Sequence, residues 1–259
     1  MNRNAAGCQT SPASYDVENL RSPTYLLLAS VPRSDPRNQA PAKRDSTTFL
    51  LTYRLSEHQH SHCNDRPDAF RPRDVAECGV YRGSSLVPMA IYLRQKGSPK
   101  RVLGFDSFEG FPESIQIDLE LGGANLDSDK KVGGLSETSL ELVQSKVDRF
   151  DLTNVELVKG YFKESLQRYR DHQFSFVHLD CDMYSSYKEC LEFFYPRLTS
   201  SGVLLLDEYN DPAWPGCNKA VDDFLSGKPE KVQSIVCDNY QKFFFVKCEA
   251  APRRRGASA

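Results

Sequence analysis

From Asp74 onward the chain alternates between short continuous apolar runs and longer stretches whose apolar residues recur at helical spacing. The runs Asp74 to Cys78, Arg101 to Phe105, Val155 to Val158, Phe174 to Asp180 and Gly202 to Leu206 predict five strands. Helical stretches lie between them. Ser84 to about Gln95 carries Leu86, Val87, Ala90, Ile91 and Leu93 mainly on its buried side, and Ser139 to Phe150 spaces Leu140, Val143, Val147 and Phe150 along one face. A short helix is predicted at Lys163 to about Arg170, and further helices at Ser185 to Leu198 and Asn218 to Leu225. Val232 to Cys237 and Lys242 to Val246 flank Asp238-Asn239-Tyr240-Gln241, a turn signal between two strands with no helix between them. Such an alternation predicts an α/β fold, a mostly parallel sheet with right-handed crossovers, closed by a C-terminal antiparallel hairpin. The polar, glycine-bearing stretch Pro112 to Leu135 interrupts the rhythm.

Residues 1–70 follow no comparable pattern. They are rich in Pro, Arg, Ser, Asn and His, and Ser34 to Thr47 reads as a loop. Thr48 to Leu55 suits either a strand or a helix start. The run His58 to Cys63 has metal-binding residue types but no supporting ligand or periodic scaffold, so it reads as a solvated loop. The chain therefore divides into an irregular extension (1–70), one regular domain (71–248) and a basic tail (249–259) containing Arg253-Arg254-Arg255. At 259 residues it can bury a full core. A net charge of −2 and a pI near 6.2 give no bias towards nucleic acid or an acidic membrane surface. No apolar run is long enough to span a bilayer; Tyr25 to Ala29 is far too short. Eight scattered cysteines, without C-x-x-C or zinc spacing, point to a reducing, cytoplasmic setting.

Candidate chemistry gathers at strand ends, where open α/β sheets bind ligands. The first strand runs into Glu77-Cys78-Gly79-Val80-Tyr81-Arg82-Gly83-Ser84-Ser85. Gly79 lets the chain turn and Gly83 lets the backbone approach a ligand. The G-x-x-x-G spacing provides poorly for a diphosphate. Asp106 ends the second strand, placed to accept from two ribose hydroxyls. Val177 to Tyr184 reads VHLDCDMY, with Asp180 and Asp182 spaced to share a face if the extended form persists through Asp182. Asp207 and Glu208 end the fifth strand. Four carboxylates at two neighbouring strand ends repel one another unless a cation joins them, and Mg²⁺ suits an all-oxygen set. The plainer alternatives are helix capping, for Asp182 above all, and pairing with Lys or Arg. An aspartyl phosphatase would carry D-x-D on its first strand. A D-x-D glycosyltransferase would leave the glycine turn and Asp106 without a role.

A parallel sheet finished by such a hairpin resembles the class I S-adenosylmethionine-dependent methyltransferases, which have a Rossmann-like fold with a seven-stranded sheet and helices on both faces. Residues 74–247 further resemble the macrocin O-methyltransferase family (TylF/MycF type), through Glu77 to Gly83, Phe105 to Pro112, Lys159 to Phe162, Leu179 to Ser186, Asp207-Glu208-Tyr209 and Lys219 to Phe224. The resemblance implies a Mg²⁺- and S-adenosylmethionine-dependent O-methyltransferase of antibiotic biosynthesis acting on a sugar hydroxyl. By it, Glu77, Gly79 and Gly83 line the methionine side of the cofactor, with Tyr81 and Ser84 in the same turn. Asp106 and Ser107 hold the ribose; Gly160, Tyr161 and Phe162 flank the adenine. Asp180, Asp207 and Glu208 hold the metal, and the stretch after Pro112 is a lid. Residues 1–70 would contribute to the acceptor pocket and a homodimer contact. Glu208 stands where the family has a second Asp, Tyr161 and Tyr81 where it has Trp, Ser107 where it has Thr, and Tyr187 where Thr is common.

For the chemistry, Asp180 is the first candidate to take the acceptor's proton and Asp182 the second. His178 is expected to face away from the Asp pair, as a core or supporting histidine. A catechol- or phenol-type O-methyltransferase would share fold, metal and cofactor. A non-catalytic S-adenosylmethionine-binding protein would have no need of four carboxylates, whose burial costs stability.

Overall fold

The computed structural model describes residues 73–112, 116–121, 134–237 and 240–248. The expected extension 1–70, the tail 249–259, the His58–Cys63 run and the glycine pair Gly122-Gly123 lie outside the described residues.

Seven strands form one sheet: β1 (Asp74–Cys78), β2 (Val102–Asp106), β3 (Val155–Lys159), β4 (Phe174–Leu179), β5 (Leu198–Leu206), β6 (Gln233–Cys237) and β7 (Tyr240–Val246). Their order is β3-β2-β1-β4-β5-β7-β6. β1 pairs in parallel with β2 and β4, β2 with β3, and β4 with β5. β7 pairs antiparallel with both β5 and β6. The antiparallel strand is thus inserted between β5 and β6, not appended at the edge. The helices are α1 (Leu86–Gln95), α2 (Gln116–Glu120), α3 (Leu140–Arg149), α4 (Phe162–Ser165, continued by a 3₁₀ turn Leu166–Tyr169), α5 (Tyr184–Phe194) and α6 (Pro215–Leu225). Mixed α/β architecture with a seven-stranded, mostly parallel sheet is as the sequence predicts.

Departures are local. The helix expected to reach Leu198 stops at Phe194, because Pro196 cannot continue the backbone ladder; a 3₁₀ turn Tyr195–Arg197 follows, and Leu198 already belongs to β5. The stretch expected to be irregular after Pro112 contains α2. Helix α3 begins at a capping Ser139, whose hydroxyl accepts from Leu142 N.

Strand periodicity sorts residues onto two cores. Val75, Phe176, Val203, Leu205 and Phe244 belong to one; Ala76, Val177, Leu179, Leu204 and Phe245 to the other. At the carboxyl end the same alternation puts Glu77, His178, Asp207 and Lys242 on the first face, in step with Val75, Phe176, Leu205 and Phe244.

Candidate active site

The β1–β4 junction, where chain connections depart in opposite directions, opens a cavity of about 840 Å³. Gly79 shapes its floor. It has φ 89°, and a side chain there would place Cβ 1.7 Å from the Asp180 carbonyl oxygen. Only glycine lets β1 turn this close to β4.

Of the residues expected around a nucleoside cofactor, Gly79, Tyr81, Ser84, Asp106, Ser107, Gly160, Tyr161 and Phe162 line the cavity. Asp106 Oδ2 accepts from Tyr81 N at 2.8 Å and Oδ1 from Phe108 N at 2.7 Å. Burial pushes its carboxyl upward against those bonds, and each oxygen keeps a lone pair for a further donor. Ser107 donates its hydroxyl proton to Gly110 O at 2.8 Å and accepts from Glu109 N, so it is committed to its own turn. Tyr161 is 38% exposed, open to stacking.

Two expected contacts lie outside the cavity wall. Glu77 is fully buried beneath it, where Oε1 accepts from the Ser85 hydroxyl and meets His178 Nδ1 at 2.9 Å. Its Oε2 has no hydrogen-bond partner among the described residues. Gly83 packs against Val143 of α3 and serves the turn.

The cavity is also lined by Asp180, Asp182, Asp207 and Glu208. Ligand oxygens of Asp180, Asp207 and Glu208 lie within 4.8 Å of one another. Burial and then the neighbouring Asp207 and Glu208 push Asp180 well above the usual carboxylate range. Burial, then Asp182 and Asp207, raise Glu208 to about 8. This donor set fits a hard divalent cation, which would relieve the repulsion.

Strand β4 ends at Leu179, and Asp182 has φ 61°. The extended form does not persist through Asp182, so the pair is not a simple same-face dyad. Asp182 lines the cavity outside the trio, and burial followed by Asp180 and Asp207 drives its carboxyl well up. Neither does it cap α5. That role falls to Asp118 on α2, whose Oδ1 accepts from Tyr184 N at 2.9 Å. Nothing in the sequence spacing, 66 residues apart, signals this contact.

His178 corrects an expectation. It lies two residues before Asp180, and an i, i+2 spacing returns to the same face, so Glu77, His178 and Asp180 cluster within 4.8 Å. Its Nε2 stands 3.5 Å from Asp207 Oδ1, long for a hydrogen bond but close enough for charge attraction. Burial opposes its protonation, yet Asp207 and Glu77 together raise it to about 10. It is tied between two acids, Glu77 and Asp207, and does not line the cavity. Lys242 of β7, only 4% exposed, donates to the same Asp207 Oδ1. Against burial, His178 and Lys242 hold Asp207 below the usual carboxylate range.

Glu208 faces the other core. Its Oε2 accepts from the Tyr187 hydroxyl at 2.6 Å and lies 3.4 Å from Asp182 N. Two of the five positions expected to depart from the family pattern, Tyr187 and Glu208, therefore touch. An apolar wall completes the cavity: Phe111 meets Trp214 edge to face at 5.8 Å, packed with Met183, Leu119 and Leu135.

A model of the family described as macrocin-O-methyltransferase (TylF) matches residues 46–244. The chain is 32% identical over 162 residues to the 8-demethyl-8-(2,3-dimethoxy-alpha-L-rhamnosyl)-tetracenomycin-C 4'-O-methyltransferase of Streptomyces olivaceus, covering 59% of this chain and 58% of that relative. It is 30% identical over 181 residues to the mycinamicin III 3''-O-methyltransferase of Micromonospora griseorubida, covering 68% and 69%. The match thus spans less than two thirds of the first relative's length. Among solved structures, the fold is similar to that of the O-methyltransferase NovP (TM-score 0.60, 22% identity, 80% of each chain). It is likewise similar to CalS11, a calicheamicin methyltransferase (TM-score 0.63, 20% identity, 91% and 98%).

Proposed function

This chain belongs to the macrocin-O-methyltransferase (TylF) family, and on that premise we propose that it transfers a methyl group from S-adenosylmethionine to a sugar hydroxyl of a glycosylated natural product. The observation that carries the reading is one cavity with two chemistries. Its lining combines groups suited to a nucleoside, Asp106 and Tyr161, with a set of carboxylates, Asp180, Asp182, Asp207 and Glu208. The names of the relatives, which are O-methyltransferases of glycosylated compounds, support a sugar acceptor.

S-adenosylmethionine, when bound, supplies a methyl carbon already activated by its sulfonium. Mg²⁺, held by Asp180, Asp207 and Glu208, would supply Lewis acidity that lowers the acceptor hydroxyl's pKa. The chain does the rest. Asp106 accepts from the ribose hydroxyls, and the Gly79 turn admits the cofactor close to the sheet. The Phe111–Trp214 wall excludes water and offers faces for a sugar ring. Asp182 is the favoured base, because Asp180 is drawn into the trio with Asp207 and Glu208. A carboxylate oxygen of Asp182 would receive the hydroxyl proton as the oxygen attacks. Positioning two reactants can contribute up to about 7–11 kcal/mol.

The test is methyl transfer followed by mass spectrometry, on a panel of rhamnosides, other glycosides and catechols, with Mg²⁺ or EDTA. Mass gain of one methyl on a glycoside, silenced by EDTA and restored by Mg²⁺, is expected. Transfer only to catechols would replace the acceptor class. Undiminished turnover in chelator would remove the metal.

A further inference from the structure

Lys242 has no part in the chemistry described above, yet it reaches the set of carboxylates. It lies on the antiparallel strand β7, one step beyond the Leu206–Phe243 pair, so it stands beside Asp207 at the end of β5. Its side chain is 5% exposed and that of Asp207 11%. A lysine this deeply buried is uncommon unless paired, and the pairing here is with Asp207 Oδ1, the atom His178 Nε2 also approaches. Two basic side chains therefore converge on one oxygen of a carboxylate that also belongs to the trio with Asp180 and Glu208. Of the two, His178 is tied on its other side to Glu77, whereas the ammonium ends a flexible stem.

We propose that Lys242 is a specificity-determining residue of this site: a built-in monovalent cation that shares Asp207 with an incoming divalent ion and holds the site's affinity for Mg²⁺ down. The inference rests on the reading of Asp180, Asp207 and Glu208 as ion ligands. An ammonium on Oδ1 takes up part of what Asp207 could offer a metal, and it would place a like charge next to that metal. Charge repulsion at this range is weakly screened in a buried site. The alternative role for Lys242 is that of an anchor orienting Asp207. The two roles predict opposite signs. Removing a competitor tightens divalent binding; removing an anchor weakens it.

The experiment is isothermal calorimetry of MgCl₂ binding to the full chain, to Lys242→Met and to Lys242→Arg, with circular dichroism and S-adenosylhomocysteine binding as controls for folding. Lys242→Met is expected to bind Mg²⁺ at least tenfold more tightly, about 1.4 kcal/mol. Lys242→Arg, which keeps the charge, should stay within about threefold of the parent chain, as its charge still opposes the metal. Equal or weaker Mg²⁺ binding by Lys242→Met overturns the inference and leaves the ligand assignment standing. No Mg²⁺ heat with any of the three proteins overturns the ligand assignment, and the inference with it. Should Lys242→Met not fold, Lys242→Gln replaces it, and the thermal midpoint with and without Mg²⁺ provides a second readout. A tighter site must show the larger Mg²⁺-dependent rise.

Discussion

Replacing Tyr187 by Phe removes one oxygen from the most enclosed part of the site. Tyr187 is fully buried, and its hydroxyl lies 2.6 Å from Glu208 Oε2 and 2.9 Å from Leu179 O. With a single proton to donate, the shorter contact is the stronger claim on it. Leu179 O still accepts from Asp207 N at 2.9 Å, so it is not orphaned. The loss falls on Glu208, left with Asp182 N at 3.4 Å and its side-chain contact with Asp180. Phenylalanine fills nearly the same volume, so the cavity term is small. A net hydrogen bond between neutral partners contributes about 1 kcal/mol, and one to a charged group about 1.5–3 kcal/mol. Glu208 changes between those cases near pH 8 in the metal-free chain. Tyr187 itself stays protonated, since burial lifts its phenol well above the usual value. Tyr187→Phe should therefore cost about 1 kcal/mol at pH 6 and about 2–3 kcal/mol at pH 9. The assay is urea unfolding of the metal-free chain and variant at both pH values. It is followed by far-ultraviolet dichroism and by the fluorescence of Trp214, the chain's single tryptophan. Effects from other titrating groups cancel in the difference between the two proteins. A cost below about 0.5 kcal/mol, or one equal at pH 6 and pH 9, refutes the idea that this hydroxyl supports an ionisable Glu208.

Three further outcomes are expected. Asp182→Asn should lower the methyl-transfer rate by about 10²–10⁴ while S-adenosylhomocysteine binds as before by calorimetry; a rate within a few-fold of the parent chain excludes it as the base. The metal-free chain should lose stability as pH rises from about 5 to 10. Over that span folded Glu208, at about 8 against an ordinary 4.5, and folded His178, at about 10 against 6.5, keep protons that the unfolded chain releases. Chemical unfolding at stepped pH checks this, and a flat or rising profile contradicts it. Asp118→Ala should destabilise the fold by about 0.5–2 kcal/mol through the lost cap at Tyr184 N, measured as a shift in urea midpoint; no shift would mean that water replaces the carboxylate without loss.

Much of the fold is legible from local pattern. The continuous apolar runs of β1, β4 and β5 and the helical spacing in α1 and α3 are each carried by neighbours in sequence. They suffice to name element types and to put Asp106, Asp180, Asp207 and Glu208 at strand ends. Side-chain alternation places His178 and Asp180 on one side, so their proximity was written in the spacing even though the expectation set them apart. The break after Leu179 was less legible. Asp182 takes a left-handed conformation just beyond the point where Gly79 passes close to Asp180, a contact between strands that no local pattern carries.

By itself, the sequence determined which segments become strands and helices, which face each residue takes, and which strand ends carry acid. Hydrogen bonding and side-chain alternation along one segment set those things, and they need no knowledge of distant residues. Only the tertiary structure decided what each acid meets. Insertion of β7 between β5 and β6 brings Lys242 to Asp207, the packing of α5 brings Tyr187 to Glu208, and the docking of α2 brings Asp118 to the start of α5. These partners lie 35, 21 and 66 residues apart in the chain. Their contacts are set by strand order and by burial of shared apolar faces, which sum over the whole molecule and leave no trace in the spacing of any single stretch.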